Sequence, residues 1–133
     1  MMRSCAPTST PTLLLDAQGL LAGEPALGVQ LGRQVWLVRG GARPFYSPIV
    51  HLSGRVRFNR HVMTATSAAA VAAELAFQAL IEDAEPIAHT WKANELLLLD
   101  NARFLHARPA VSENDADREL ERLLCAPPRC LGR

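Results

Sequence analysis

Residues 91–111 read WKANELLLLDNARFLHARPAV, and this stretch says most about the fold. The segment ELLLLD at 95–100 has no polar interruption, which predicts a strand buried on both faces, although four leucines could equally form one turn of a buried helix. The Asp-Asn pair at 100–101 is typical of a turn and leads into a short apolar segment, 103–107. We therefore expect two strands joined by a turn, with His106 at the end of the second.

Upstream of this stretch, two further strands are predicted. Residues 34–38 (QVWLV) and 45–50 (FYSPIV) are β-branched and aromatic runs separated by the turn-prone GGARP at 40–44. Residues 55–58 (RVRF) alternate basic with apolar side chains, as in a strand with one face on a core and the other facing a cavity or water. The chain is therefore expected to be mainly β.

One helix interrupts these strands. The alanine-rich segment 67–83 has Ser67 or Thr66 as a cap, and four apolar residues lie near helical spacing: Val71, Leu75, Leu80 and Ile81. Residues 117–125 (DRELERLLC) are ambiguous, since Glu, Leu and Arg favour a helix by propensity while a strand stays open. Residues 1–32 are rich in small residues and proline and are expected to be irregular, and 127–133 is expected to be a tail.

Composition narrows the function classes. At 133 residues the chain has the size of one domain or a piece of one, and 14 basic against 13 acidic residues give no indication of nucleic acid or an anionic membrane as a partner. Its three cysteines form no CxxC pair, so a reduced, cytoplasmic setting is the simpler interpretation. The apolar run 13–15 is too short for a secretory core or a membrane span.

Among the four histidines, His106 has the most suggestive context. It follows an apolar strand and a turn, and Arg108, Arg118 and Arg122 come after it. A histidine held at the end of a strand, near several guanidinium groups, is a candidate metal ligand beside a carboxylate-binding pocket. A histidine with satisfied hydrogen bonds on the surface or in the core is the alternative.

Residues 91–111, together with DRELERLL at 117–124, resemble the C-terminal part of the iron(II)- and 2-oxoglutarate-dependent oxygenases of the taurine dioxygenase and clavaminate synthase type. The resemblance implies the C-terminal half of a double-stranded β-helix, a jelly roll, with the helix inserted, over a partial domain at 33–126. It also implies that His106 is the distal iron ligand and that Arg118 binds the far carboxylate of 2-oxoglutarate. Arg122 matches the family's Arg-x-Leu-x-Arg strand, so 117–125 becomes a strand by analogy.

The resemblance is weaker upstream, where FYSPIV and RVRFNR are similar to elements before the family's inserted helix. It implies that Arg57 could face a substrate cavity, although alternating arginines more often form a solvated strand face. Asn94 and Glu95 stand where the family has Gly-Asp, and Ala107 replaces a glycine. Asn tolerates a left-handed backbone, so the change at position 94 carries little weight.

One family element is missing. Iron in these enzymes is held by two histidines and one carboxylate, and the first histidine and the carboxylate form a His-x-Asp or His-x-Glu motif. The four histidines here begin His-Leu-Ser, His-Val-Met, His-Thr-Trp and His-Ala-Arg, so none provides it. We expect the chain to bind iron weakly and to be inactive alone, being either a truncated product or completed by another polypeptide.

Two alternatives stay open: a noncatalytic remnant that keeps the strands, and a small α/β interaction module without metal. In any completed enzyme the substrate would be a small molecule of unknown identity, and uncovered strand faces such as 96–99 would favour self-association. The aromatic residues Trp36, Phe45, Phe58 and Trp91 are expected in the core. Asp16 and Glu24 are expected to be solvated, and Asp100 and Asn101 to organise the turn before the His106 strand.

Overall fold

The computed structural model describes residues 2–4, 8–109 and 120–123. Over these residues the chain is a mixture of short strands and helices, arranged as three small sheets and three helices. The elements are β1 (Met2–Ser4), β2 (Thr8–Asp16), α1 (Ala17–Gly23), α2 (Pro25–Arg33), β3 (Trp36–Val38), β4 (Phe45–Ser47), β5 (Met63–Ala65), α3 (Ala68–Asp83), β6 (Ile87–Trp91), β7 (Leu96–Leu97), β8 (Phe104–Ala107) and β9 (Leu120–Arg122). The predicted tail at 127–133 lies outside the described residues.

The chain divides into two compact units. The first comprises Met1–Leu13, Ala88–Leu99 and Arg108–Arg133, and the second comprises Leu14–Ile87 and Asp100–Ala107. In the first unit, β1 is the middle strand of a sheet in the order β7-β1-β9 and pairs antiparallel with both neighbours. The second unit contains a sheet in the order β4-β3-β5, and the remaining sheet has the order β6-β2-β8.

The predicted pair of strands around the GGARP turn is confirmed. β3 and β4 pair antiparallel with Leu37 opposite Tyr46, and β5 pairs antiparallel on the other edge of β3. The segment 55–58 differs from the prediction: its burial alternates, with Val56 buried and Arg55 and Arg57 exposed, but Val56 forms only an isolated bridge with Val50. The alternating sequence therefore predicted correctly which side chains are buried, although the segment does not form a regular strand.

Helix α3 is confirmed with its predicted cap, because the Ser67 hydroxyl accepts a hydrogen bond from the Ala70 amide at 3.0 Å. Of the four apolar residues at helical spacing, Leu80 and Ile81 are partly buried against the core, whereas the other two are exposed. Val71 and Leu75 are 46% and 60% exposed, while Ala70, Ala73 and Phe77 are buried. In a helix that is apolar nearly all round, the weak amphipathic pattern does not single out a face, and the packing partners decide it.

The N-terminal segment is structured where an irregular chain was expected over 1–32. The Asp16 carboxylate caps α1 by accepting from the Gly19 amide at 2.9 Å, and Pro25 occupies the first turn of α2. Leu21 and Leu31 are buried in the core of the second unit. Tertiary burial of a few side chains therefore overrides the low helix propensity of this glycine-rich segment.

The segment 95–100 is also different from its prediction. Only Leu96–Leu97 forms a strand, and exposure alternates along the run, with Leu96 and Leu98 at 53% and 72% exposed and Leu97 and Leu99 half-buried. A strand buried on both faces is therefore wrong. β7 lies at the edge of its three-stranded sheet.

The core of the second unit is built from both helices and strands. Its fully buried large side chains include Trp36, Phe77, Leu31 and Ile49, and Phe58 packs edge-on against Phe77 with ring centroids 5.3 Å apart. In the first unit Trp91 is buried, and its indole N–H donates to the Thr12 hydroxyl at 2.8 Å. The expectation of a core aromatic is wrong for Phe45, which is 42% exposed at the edge strand β4.

Candidate functional site

The turn that precedes the His106 strand is organised as predicted. The Asp100 carboxylate accepts from the Ala102 amide at 2.9 Å, and the Asp100 carbonyl accepts from the amides of Arg103 and Phe104 at 3.0 and 2.9 Å. These are the local bonds by which an Asp side chain replaces backbone pairing in a turn. The chain therefore reverses at Asp100–Asn101 and enters β8 in a fixed conformation.

Strand β8 carries His106 in its third position. Leu105 packs against the core cluster of the second unit, and His106 is half-buried. Because successive side chains of a strand point to opposite faces, His106 projects away from the face that Leu105 uses. A half-buried imidazole on a rigid strand has the placement that a metal ligand or a hydrogen-bonding histidine needs.

The residue that opens this segment, Arg103, is held by the N-terminal cap of α1. Its Nε donates to Oδ1 of Asp16 at 3.0 Å, and its terminal amino group donates to Oδ2. The Arg103 guanidinium, with help from the Gly19 amide, holds the pKa of the Asp16 carboxyl below its ordinary value. Asp16, expected to be solvated, is thus both a helix cap and an ion-pair partner.

Further hydrogen bonds join the start of α1 to Ala102 and Arg103, the two residues before β8, and we call this region the α1–β8 junction. The Arg103 carbonyl accepts from the Ala17 amide at 3.1 Å, and the Ala102 carbonyl accepts from the Val56 amide at 2.8 Å. The Gln18 side chain donates to the carbonyls of Gly54 and Ala102 at 2.9 and 3.5 Å. Gly19 allows the cap to sit this close, since a Cβ there would lie 2.8 Å from Asp16 Oδ2. The sequence contained no pattern that predicts this junction. Asp16 is a residue type typical of a helix N-cap, but the helix that follows it, α1, was not predicted.

The arginines predicted for ligand binding are placed as follows. Arg57 is exposed, and its guanidinium carbon lies 5.3 Å from the centroid of the Phe45 ring, a cation–π contact on the surface of the second unit. Arg122 lies in β9, opposite Met2 of β1. Arg118 lies outside the described residues. The part of 117–125 that is described, Leu120–Arg122, is a strand.

The turn at Asn94 and Glu95, where the resembled family has Gly-Asp, has the left-handed backbone that asparagine tolerates. Asn94 has a φ of 60°, in the left-handed region where glycine and asparagine are favoured. The Glu95 carboxylate accepts from the Lys92 amide at 2.9 Å and closes the turn. The Asn-Glu pair therefore builds a turn that a Gly-Asp pair could also form.

The other histidines have different surroundings. The His51 ring lies 3.2 Å from the Ser47 hydroxyl, and His61 is exposed. In the first unit, Nε2 of His89 lies 3.4 Å from Oε2 of Glu95 without hydrogen-bond geometry, and the ring stands edge-on to Trp91. Within residues 2–4, 8–109 and 120–123, no three His, Cys, Asp or Glu side chains are grouped so that they could hold a metal ion. A set of two histidines and a carboxylate is therefore not assembled by the described residues.

A shallow groove lies between β5 and α3. Its lining is Met63, Thr64, Ala65, Val71, Glu74 and Leu75. The carboxylate of Glu74, one of these residues, accepts a hydrogen bond from the indole N–H of the buried Trp36 at 2.7 Å. It accepts another from the side-chain amide of Gln78 at 3.1 Å. Neither His106 nor Arg57 is among these lining residues.

No helix in the described ranges is both long enough and apolar enough to cross a membrane.

No family model matches the chain, and no curated protein matches it.

Proposed function

We propose that the chain supplies the distal part of the iron and 2-oxoglutarate site of a dioxygenase of the taurine dioxygenase and clavaminate synthase type, an oxidoreductase that hydroxylates a small molecule. One observation carries the proposal: the Asp100 turn leads directly into β8, which holds His106 half-buried three positions after the anchored Arg103. This is the local arrangement expected of a histidine that ligates a metal from a rigid strand.

Two further features support the proposal. The left-handed Asn94 occupies the place of the family's glycine, so the main departure in the Trp-to-His stretch is compatible with the same turn. The described residues Leu120–Arg122 form a strand, which is compatible with the strand that the resemblance implies for 117–125. The double-stranded β-helix itself belongs to the proposal, and the small antiparallel sheets are compatible with part of one.

The described residues do not fit a complete iron site, because only His106 matches a family ligand and no group of three donors is assembled among them. The chain therefore requires a His-x-Asp or His-x-Glu element from sequence upstream or from another polypeptide, and we expect it to be inactive alone. No catalytic residue is assigned to this chain.

In the completed site, the arginines would serve the cosubstrate and the substrate. Arg118 would hold the far carboxylate of 2-oxoglutarate in a charge-assisted pair, Arg122 would assist it, and Arg57 would face the substrate. The absence of CxxC pairs supports a reduced, cytoplasmic setting, and the balanced charge gives no reason to propose nucleic acid as a partner.

A second candidate function is an interaction module without metal. It is favoured by the exposed leucines of the first unit, Leu96, Leu98 and Leu123, which are 53%, 72% and 52% exposed. In that case β8 and its turn are structural, and His106 contributes only local hydrogen bonding or packing.

The test is anaerobic calorimetry with iron(II). The chain alone should bind weakly or not at all, whereas the chain mixed with a polypeptide carrying the upstream His-x-carboxylate element should bind one equivalent. His106→Ala should abolish that binding, and the exposed-residue control His61→Ala should leave it intact. Stoichiometric, micromolar binding by the chain alone that depends on His106 would show that no second part is needed. A mixture that binds no iron, or binds it equally well with His106→Ala, would contradict the oxygenase proposal.

A further inference from the structure

The junction between α1 and β8 suggests a role for two residues that no sequence motif singled out. Three groups of the segment Asp16–Gln18 contact Ala102 and Arg103: the Asp16 carboxylate, the Ala17 amide and the Gln18 side chain. The Val56 amide also donates to the Ala102 carbonyl, at 2.8 Å. The two residues before β8 are therefore bound by two separate segments of the chain, and the Asp100 carboxylate accepts from the Ala102 amide within the turn.

We infer that Asp16 and Arg103 are positioning residues for His106: their ion pair fixes the start of β8 and so sets the position and surroundings of the imidazole. Arg103 is three residues before His106, which is about 10 Å along a strand. A bidentate carboxylate–guanidinium pair restrains direction as well as distance, because both nitrogens and both oxygens must stay in one plane. The assignment of the imidazole as a metal ligand rests on the proposed function, but the positioning itself does not.

Local secondary structure alone does not account for the pair. Asp16 already has a structural task as the cap of α1, for which its bond to the Gly19 amide is sufficient. Asn is an equally good cap but cannot form a charged pair with both guanidinium nitrogens. The two tasks of Asp16 can therefore be separated by the single substitution Asp16→Asn.

The test follows the histidine rings by nitrogen and carbon NMR in the full chain, without metal or cosubstrate. In Asp16→Asn and in Arg103→Gln, the ring signals of His106 should move at constant pH, whereas those of the exposed His61 should not. The double variant should show the same displacement as either single variant, because both remove one interaction. Arg103→Lys, which keeps the charge but loses the bidentate geometry, should give a smaller displacement in the same direction.

Glu24→Gln is the matched control. Glu24 is also the residue before a helix, but its side chain makes no capping hydrogen bond, so His106 should be unaffected. Unchanged His106 signals in folded Asp16→Asn and Arg103→Gln would overturn the inference. Global unfolding of both variants and of Arg103→Lys would also overturn it, since the pair would then support the whole unit and not the position of one ring.

This measurement distinguishes the inference from the proposed function. Failure of iron to bind a completed protein would leave the NMR result standing, and the pair would then position a histidine without a metal. Iron binding that depends on His106 but is insensitive to Asp16→Asn, with unmoved ring signals, would retain the function and remove the positioning role.

Discussion

Arg103 and Asp16 are 87 positions apart in the sequence, yet the guanidinium of one binds both carboxylate oxygens of the other. Their pairing connects the beginning of α1 with the beginning of β8. It also brings a charge that looked solvated in the sequence into the neighbourhood of the candidate ligand strand. The pair has consequences for stability that can be measured directly.

The first prediction concerns pH. The pKa of Asp16 is lowered in the folded chain by Arg103 and the Gly19 amide, relative to an ordinary value of 3.8. A lowered folded-state pKa means that the carboxylate contributes stability that is complete above the unfolded pKa and is lost as the pH falls through the folded one. Asp16→Asn should therefore lower the urea midpoint at neutral pH, and the difference from wild type should shrink below the ordinary pKa.

The matched control for this experiment is Glu24→Gln, which removes one negative charge at the start of α2 without removing a side-chain hydrogen bond. Its midpoint should stay close to wild type at both pH values. Equal midpoints for wild type and Asp16→Asn at neutral pH would contradict the prediction, as would a difference that grows on acidification.

The second prediction concerns the carboxylate beneath Trp36. The indole N–H of Trp36, a fully buried side chain, donates to Glu74 at 2.7 Å. Glu74→Ala leaves this donor without its partner and should destabilise the chain by about 1–3 kcal/mol. Chemical unfolding followed by tryptophan fluorescence measures the effect. Glu82→Ala, an exposed glutamate on the same helix, is the control and should change stability by less than about 0.5 kcal/mol.

The third prediction tests the face of α3 that packs on the core. Phe77 is fully buried, whereas Leu75, only two residues away, is 60% exposed. Phe77→Ala should cost about 3–5 kcal/mol through lost burial and a cavity. Leu75→Ala should change stability by about 0.5 kcal/mol or less. Equal losses in the free energy of unfolding for the two variants, measured by denaturant titration, would mean that a different face of α3 packs on the core.

The fourth prediction concerns self-association through the edge of the first unit. Leu96 and Leu98 are exposed, and β7, which contains Leu96, is an edge strand of its sheet. Exposed apolar side chains beside an unpaired strand edge favour association. Sedimentation should show concentration-dependent oligomers, and the double substitution Leu96→Ser with Leu98→Ser should reduce them.

Leu52→Ser provides the comparison, since Leu52 is fully exposed in a turn outside any strand and should not affect association. A wild-type chain that sediments as a single monomeric species at all concentrations would count against this surface. So would oligomers that persist unchanged in the double variant.

The sequence by itself determined the elements whose signals are local. Ser67 fixes the start of α3, the GGARP turn separates β3 from β4, and the Asp100 turn precedes β8, because capping and turn formation depend on bonds within a few residues. The left-handed turn at Asn94 belongs to the same class. The His106 assignment also came from the sequence: its context after a predicted strand and turn made it a candidate ligand, and the resemblance implied its role as the distal one.

Tertiary structure alone decided the rest. Helices α1 and α2 form in a glycine-rich segment because Leu21 and Leu31 can be buried, and packing decided that α3 buries Phe77 and leaves Leu75 exposed. In the leucine run at 96–99, Leu96 and Leu98 are exposed although no polar residue interrupts the run. The pairing of Asp16 with Arg103 has no local signal, since a contact across 87 positions exists only once the elements between them have packed.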